Sequence, residues 1–202
     1  TLTRYVPSFA AFTVITGLFQ LPWVVLIIII NPLESYLFSE WLTAYLSGVC
    51  TGISLIALFY VVQGKEVSRV IPVYTSAPIF VAILAFFFLS EDLSFWHWIA
   101  IIFTIAGAGA ISYDVKGKDG SYSLIVPFCI MVVASAIAGG GFILNKLALQ
   151  AIDFWSFLPV RNLGLATPTM LLAVHPKVLK ATFTALTTRN SLRIILLNEG
   201  LV

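Results

Sequence analysis

The chain has 202 residues, of which 60% are hydrophobic and only 10% are charged, and its mean hydropathy is +1.03. A soluble domain is about 25% charged, so this chain has too little polar surface to cover a water-soluble globule. The net charge of +2, from 11 basic and 9 acidic residues, is too balanced to indicate nucleic-acid binding. The composition excludes a cytosolic enzyme, a disordered regulator and a disulfide-rich secreted domain, and it indicates a membrane protein.

Six apolar segments are long enough to cross a membrane, and a seventh begins near the end of the chain. A helix needs about 20 mostly apolar residues to cross the hydrocarbon core. The predicted spans cover residues 7–30, 42–62, 70–90, 95–113, 122–144 and 155–174, and another opens near residue 192. Because these runs are continuous and not alternating, they predict helices and not barrel strands. The expected fold class is all-α, a polytopic transmembrane helical bundle.

Small residues recur at helix-contact spacing within these spans. Gly48 and Gly52 form a GxxxG pair, and Ala106 and Ala110 form a similar pair. Such pairs let helix backbones approach closely in lipid, where apolar side chains alone give little driving force for association. Prolines within or at the edge of spans can kink their helices, which neighbours in a bundle tolerate. These prolines are Pro72, Pro78, Pro159 and Pro168.

A weak internal repeat relates the two halves of the chain. The Tyr-Val-Pro tripeptide at 5–7 is similar to Phe-Leu-Pro at 157–159, an offset of 152 residues, and the same offset relates Gly48 to Gly200. Continued at this period, the repeat predicts two units of five spans each, with one span before residue 1 and further spans after residue 202. Because five is odd, the second unit would be inverted in the membrane relative to the first.

The expected domain organisation follows from this period. Residues 1–115 would form a first five-helix unit that lacks its first helix. Residues 122–202 would form a second unit, truncated after the start of its third helix. Inverted repeats of this kind are the architecture of many secondary transporters, in which substrate binds at the interface between the repeats.

The stretch 45–114 carries several short motifs in order. A small-residue span ends in Ala-Leu-Phe-Tyr at 57–60, Ala-Pro stands at 77–78, and Leu-Ser-Glu-Asp-Leu-Ser follows at 89–94. A span with tryptophans at its start ends in Thr-Ile-Ala-Gly-Ala-Gly at 104–109. With these motifs the sequence resembles an EamA-type unit of the drug/metabolite transporter superfamily.

The resemblance continues into the second half, where Asn145, Lys146 and Arg161 fall in the opening of a second such unit. It implies an integral membrane secondary transporter of a small metabolite, not an enzyme, that works by alternating access between two inverted five-helix units. The implied partners are the lipid bilayer and a small-molecule substrate, with proton or ion coupling left open, and the implied location is the plasma (inner) membrane. The alternative is a non-transporting polytopic membrane protein, such as a receptor-like or assembly subunit.

Charged residues inside spans are the first candidates for substrate binding, because a charge in hydrocarbon is costly without water or a partner. Arg161 lies about two turns into the sixth predicted span, where it can meet a carboxylate or an anionic substrate group. The alternative is a contact with Asp153 at the end of the helix. Lys146 either lines a cavity or extends to the membrane interface. Glu199, in the opening of the seventh span, can face the cavity and couple to protons or pair with a cation.

Uncharged polar residues complete the predicted substrate-binding set. Asn145, Tyr60 and Tyr74 can line a cavity, although each can instead make an interhelical hydrogen bond. No nucleophile-plus-base arrangement, metal-binding cluster or phosphate-binding glycine loop occurs in the sequence. The sequence therefore predicts no catalytic residue, no metal and no cofactor.

The two membrane faces of the predicted bundle differ in charge. One face, the basic face, collects Arg4, Lys65, Arg69, Lys116, Lys118, Lys177, Lys180, Arg189 and Arg193. The opposite face, the acidic face, carries Glu34, Glu40, Glu91, Asp92 and Asp153. The positive-inside rule would place the basic face in the cytoplasm. The family resemblance implies the opposite orientation, so the sequence leaves the orientation open.

Overall fold

A computed structural model describes residues 9–64, 71, 73–113 and 125–187. The described part of the chain is helical and has no strands, which confirms the predicted all-α bundle. The helices are α1 (Phe9–Ile30), α2 (Phe38–Gly64), α3 (Ala77–Leu89), α4 (Phe95–Tyr113), α5 (Ile125–Ala151), α6 (Phe154–Leu171) and α7 (Pro176–Thr187). The predicted seventh span near residue 192 lies outside the described residues.

Four described helices are long and apolar enough to cross a membrane: Phe9–Ile30, Phe38–Val62, Val126–Ala151 and Phe154–Val174. The third and fourth predicted spans are represented by the shorter apolar helices Ala77–Leu89 and Phe95–Gly107. The length and apolar composition of the four long helices indicate an integral membrane protein.

The third predicted span, at 70–90, is not one uninterrupted helix, because the chain turns at residues 75–76 before α3 begins. Pro78 lies in the first turn of α3 and has no N–H, so the Tyr74 carbonyl cannot accept the usual helical bond from that position. The Ser135 hydroxyl of α5 lies 3.0 Å from the Tyr74 carbonyl oxygen and 2.8 Å from that of Val73, and can donate to either. Contact with α5 therefore compensates for the interrupted helix.

The fifth predicted span is also longer than expected, since α5 continues to Ala151 instead of ending at residue 144. Asn145 and Lys146 consequently lie inside the helix and not beyond its apolar part. Only Ile152 and Asp153 separate α5 from α6. Asp153 makes this tight connection possible because its carboxylate accepts hydrogen bonds from the backbone N–H groups at the start of α6.

The predicted GxxxG pair lies at the closest approach of two helices. A Cβ atom added to Gly48 of α2 would overlap the Arg161 carbonyl oxygen of α6, and one added to Gly164 would overlap the Tyr45 carbonyl oxygen. Gly52, one turn further along α2, also faces α6. The prediction that these small residues bring helix backbones together is therefore confirmed for α2 and α6.

The bundle is arranged around α2, which packs against α6 on one side and α5 on the other. Gly141 of α5 faces Ser47 of α2, and Gly139 faces Phe80 of α3, so these two glycines place α5 between two helices. In contrast, Ala106 of the predicted Ala106–Ala110 pair is exposed. The side chain of Ala110 lies outside the described residues.

Helix α7 was not predicted from the sequence. It is 12 residues long, about 18 Å, which is too short to cross the hydrocarbon core. One side of α7 packs on α1, where Ala185 contacts Ala11 and Ile15. The opposite side exposes Lys177 and Lys180 at the basic face.

Replacing Gly48 with Ala is expected to destabilise the protein, because the new methyl group would force the backbones of α2 and α6 apart. Overpacking of this kind costs about 1–3 kcal/mol. The measurement is the midpoint of thermal unfolding in detergent, followed by tryptophan fluorescence. Gly140→Ala is the matched control, since a Cβ at Gly140 meets nothing within 4 Å. Equal midpoints for the two variants would contradict the close approach.

Replacing Asp153 with Ala is expected to lower stability by about 1 kcal/mol at neutral pH, through loss of the helix cap. Hydrogen bonds from the Ser156 side chain and from the backbone N–H groups of Ser156 and Trp155 hold the pKa of Asp153 below its usual value. A lowered pKa stabilises the folded state above the unfolded-state pKa of about 3.9, and this contribution disappears as the pH falls through the folded-state value.

The test compares wild type, Asp153→Ala and Asp153→Asn from pH 7 downwards. The Ala variant should unfold at a lower temperature at pH 7, and its difference from wild type should shrink below about pH 4. The Asn variant keeps a good capping group and should lose less stability. A difference between Ala and wild type that stays constant down to pH 3 would refute the role of the ionised carboxylate.

Candidate functional site

The acidic-face end of the bundle is closed by an apolar cluster. Ala44 of α2, Ala148 and Ile152 at the end of α5, and Phe157 in the first turns of α6 are all buried and in contact. Three helices therefore converge here. We call these four residues the apolar seal.

Arg161 lies one turn deeper than Phe157 on α6. One of its guanidinium nitrogens, Nη1, donates a long hydrogen bond of 3.4 Å to Oδ1 of Asn162. Asn162 is only 7% exposed, so this contact draws the guanidinium toward the interior and not toward the membrane surface. Among the residues that the structure describes, no carboxylate lies within ion-pair distance of Arg161. Its charge is therefore uncompensated in the described part of the chain.

Asn145 lies one turn deeper than Ala148 on α5. Its side-chain oxygen Oδ1 is buried and has no hydrogen-bond partner in the described part of the chain. A buried carbonyl oxygen without a donor is rare in folded proteins and costs about 1–3 kcal/mol. This atom therefore marks a place where a donor from another molecule would be favourable.

Lys146 is partnered, unlike Arg161. Its ammonium pairs with the Glu91 carboxylate, which lies in the connection between α3 and α4 at the acidic face. The two side chains are 47% and 41% exposed, so the pair lies at the surface. Lys146 thus reaches the acidic face, as the alternative interpretation of its role allowed.

A second polar contact joins the same parts of the chain at the acidic face. The Tyr36 hydroxyl, between α1 and α2, lies 3.1 Å from Oδ2 of Asp153 and 3.0 Å from Oε2 of Glu34. The Tyr36 oxygen also accepts the Asp153 N–H at 3.3 Å. The Tyr36 ring packs edge-on against Trp41. These contacts attach the segment between α1 and α2 to the segment between α5 and α6.

The two predicted tyrosines lie away from this region. The Tyr74 hydroxyl lies 3.2 Å from Ser54 Oγ, which can also donate to the Ala134 carbonyl, so Tyr74 belongs to an interhelical network. Tyr60 is 56% exposed and packs edge-on against Phe9. It lies 12 residues beyond Gly48 on α2, which is about 18 Å nearer the basic face. The structure does not bring Tyr60 to Arg161.

Of the predicted substrate-binding residues, Asn145 lies one turn from Ala148 on α5 and Arg161 lies one turn from Phe157 on α6, and no hydrogen bond joins the two in the described part of the chain. Glu199 falls outside the described residues. The sequence analysis did not select Asn162, Ser54 or Ser135, although all three are buried. Each is a polar residue within a largely apolar predicted span, and this is the signal that the sequence offers. The described residues contain no group of three His, Cys, Asp or Glu side chains that could hold a metal ion.

Comparisons with known proteins address the function. Over 68 residues the chain is 37% identical to a Sinorhizobium sp. protein named "Uncharacterized transporter in cobO 3'region". This match covers 34% of the chain and 48% of that relative, so it spans about half of the relative's length. No solved structure matches the chain significantly. Residues 2–113, more than half of the chain, match the family model described as "EamA-like transporter family". The chain therefore belongs to the EamA-like transporter family.

Proposed function

We propose that the protein is a secondary transporter of a small metabolite in the plasma (inner) membrane. It works by alternating access between two inverted five-helix units, of which residues 1–115 and 122–202 are the parts present. The observation that carries this proposal is the position of α2, a helix of the first unit, between α5 and α6 of the second. A site beneath the apolar seal is then a site between the units, where transporters built from repeats bind substrate.

Contacts between the two proposed units support a conformation that is closed at the acidic face. Glu91 of the first unit forms an ion pair with Lys146 of the second. Tyr36 of the first unit donates a hydrogen bond to Asp153 of the second. Ala44 completes the apolar seal from the side of the first unit. An exposed ion pair contributes about 0–1 kcal/mol, so these contacts hold the face closed without preventing its opening.

The predicted site residues take different roles in this proposal. Arg161 and Asn145 contact the substrate beneath the apolar seal. Lys146 acts above the seal as the partner of Glu91, in a gate at the acidic face. Glu199 is the proposed group for proton or ion coupling. Roles for Tyr60 and Tyr74 in lining the pathway stay predictions.

Opening of the acidic face is expected when the ion pair is replaced by two like charges. In a background with Cys50→Ala and Cys129→Ala, Ala148→Cys places a thiol in the apolar seal. Glu91→Lys should speed labelling of this thiol by an impermeant maleimide, about fivefold or more for each 1 kcal/mol by which the closed state is weakened. The double variant Glu91→Lys/Lys146→Glu should restore slow labelling, because it restores the opposite charges.

Asp92→Lys is the matched control, since Asp92 is the exposed neighbour of Glu91 and undergoes the same change of charge. Equal labelling of the Glu91 and Asp92 variants would contradict the gate. Transport itself is tested with the full-length protein in proteoliposomes and an isotope-labelled metabolite extract. Uptake of at least one metabolite above protein-free vesicles supports the proposal. Uptake of none would favour the non-transporting alternative.

A further inference from the structure

We propose that α7 lies along the membrane surface at the basic face and binds the headgroups of anionic phospholipids. The ammonium groups of Lys177 and Lys180 contact the lipid phosphates, while the side chains of Leu179 and Phe183 enter the acyl chains beside them. This surface lies outside the proposed transport pathway, so the inference does not depend on the proposed function.

The packing of α7 places it at the boundary of the hydrocarbon core. The helical segment before it, Phe154–Val174, has 21 residues and is about 31 Å long, so it crosses the core and α7 begins at its far end. The other end of α7 packs on α1, where Ala185 contacts Ala11 and Ile15. Ile15 lies in the second turn of α1, about 9 Å from the first residue of that helix. Both ends of α7 are therefore near the basic face, and the helix runs along the membrane surface.

The local sequence turns the chain at this boundary. His175 has an extended backbone conformation, so the chain changes direction between α6 and α7. Pro176 occupies the first position of α7, where its missing N–H breaks no helical hydrogen bond. Nδ1 of His175 lies 3.3 Å from the backbone nitrogen of Lys177 and accepts its N–H, which satisfies one of the free donors at the start of the helix.

The surface of α7 includes one buried side and one apolar side that the described residues leave exposed. The buried side carries Thr182 and Ala185 and packs on α1. The apolar side, about a third of a turn away, carries Leu179 and Phe183, which are 43% and 61% exposed. On a short helix at the membrane boundary, large apolar side chains at this spacing are typical of insertion among the acyl chains.

The third side of α7 is basic. Lys177 and Lys180 are exposed and three residues apart, so they share a face of the helix. Neither lysine has an ion-pair partner in the described part of the chain. The sequence contains no acidic residue between Asp153 and Glu199, so α7 and the helix before it carry no negative side chain. Lipid phosphates lie at the depth of this basic side and have the complementary charge.

The apolar and basic sides of α7 act together. When Leu179 and Phe183 lie among the acyl chains, the lysines, about a third of a turn away, lie at the level of the headgroups. Long lysine side chains extend readily from this position to the phosphates. A zwitterionic membrane satisfies the apolar side alone, whereas an anionic membrane also attracts both lysines. The lipids beside α7 should therefore be enriched in anionic species.

The test measures which lipids surround α7 in the full-length protein. Phe183→Trp places a tryptophan on the apolar side, and its signal is the fluorescence difference between this variant and wild type. The vesicles contain equal amounts of phosphatidylglycerol and phosphatidylcholine, and one of the two lipids carries bromine atoms that quench tryptophan. At low salt we expect the ratio of phosphatidylglycerol to phosphatidylcholine beside α7 to exceed the bulk ratio about fivefold or more. High salt should reduce this preference, because it screens the charges.

Charge variants in the Phe183→Trp background assign the preference to the two lysines. Lys177→Gln/Lys180→Gln should bring the ratio beside α7 close to the bulk ratio. Lys177→Arg/Lys180→Arg is the matched control and should keep the preference, because it keeps both positive charges. Both lysines are exposed, so the variants should fold, and membrane abundance and detergent elution profiles verify this.

Three results would overturn the inference. The first is equal quenching by the two brominated lipids at low salt. The second is a preference for phosphatidylglycerol that the Gln variant or high salt leaves unchanged, since the lysines would then not be its source. The third is the absence of quenching by either lipid, which would show that another part of the chain or a second copy covers this side of α7.

Discussion

The close approach of α2 and α6 is the constraint on which the rest of the bundle depends. In lipid, helices gain nothing from hiding apolar side chains, so association relies on dense packing and on polar contacts. Gly48 and Gly164 allow the backbones of α2 and α6 to touch, which is impossible with any larger residue at those positions. The crossing also determines the place of Arg161, because its own carbonyl group forms part of the contact. The backbone of α6 at Arg161 therefore both packs against α2 and positions the Arg161 side chain.

Polar groups within the bundle are of two kinds, those that have a hydrogen-bond or ion-pair partner in the described part of the chain and those that lack one. Ser54 donates to the Ala134 carbonyl of α5, and Ser135 donates to a carbonyl of the interrupted segment before α3. Asn145 and Arg161 lie beneath the apolar seal with a missing donor and a missing anion in the described part of the chain. In a medium of low dielectric constant a polar group without a partner raises the free energy of the folded protein, so such a group is a candidate for ligand binding. The division separates groups that stabilise the fold from groups that we assign to substrate binding.

The sequence predicted the fold class because long apolar runs leave helices as the main solution in a bilayer. It also predicted the role of Gly48, since the GxxxG spacing has a direct physical meaning. The sequence marked Pro72 and Pro78 as positions that can kink a helix, but hydropathy does not show that the helix is interrupted before α3 or that Ser135 of another helix donates to the Tyr74 carbonyl. The pairing of Lys146 with Glu91 was missed as well, because it joins residues that are 55 positions apart. Depth along a helix can be read from sequence, but partners across helices cannot.

Ser135 of α5 contacts the backbone at the interruption before α3. Its hydroxyl lies within bonding distance of two successive carbonyl oxygens, at 2.8 and 3.0 Å. A hydroxyl rotates freely about its C–O bond, so its proton can pass from one carbonyl to the other as the turn shifts. The Val73 carbonyl also accepts from the Ser76 hydroxyl and backbone N–H, so the Ser135 hydroxyl can turn to the Tyr74 carbonyl without leaving the Val73 carbonyl unpaired. The hydrogen bond from α5 to the turn before α3 is therefore available with either carbonyl as its acceptor.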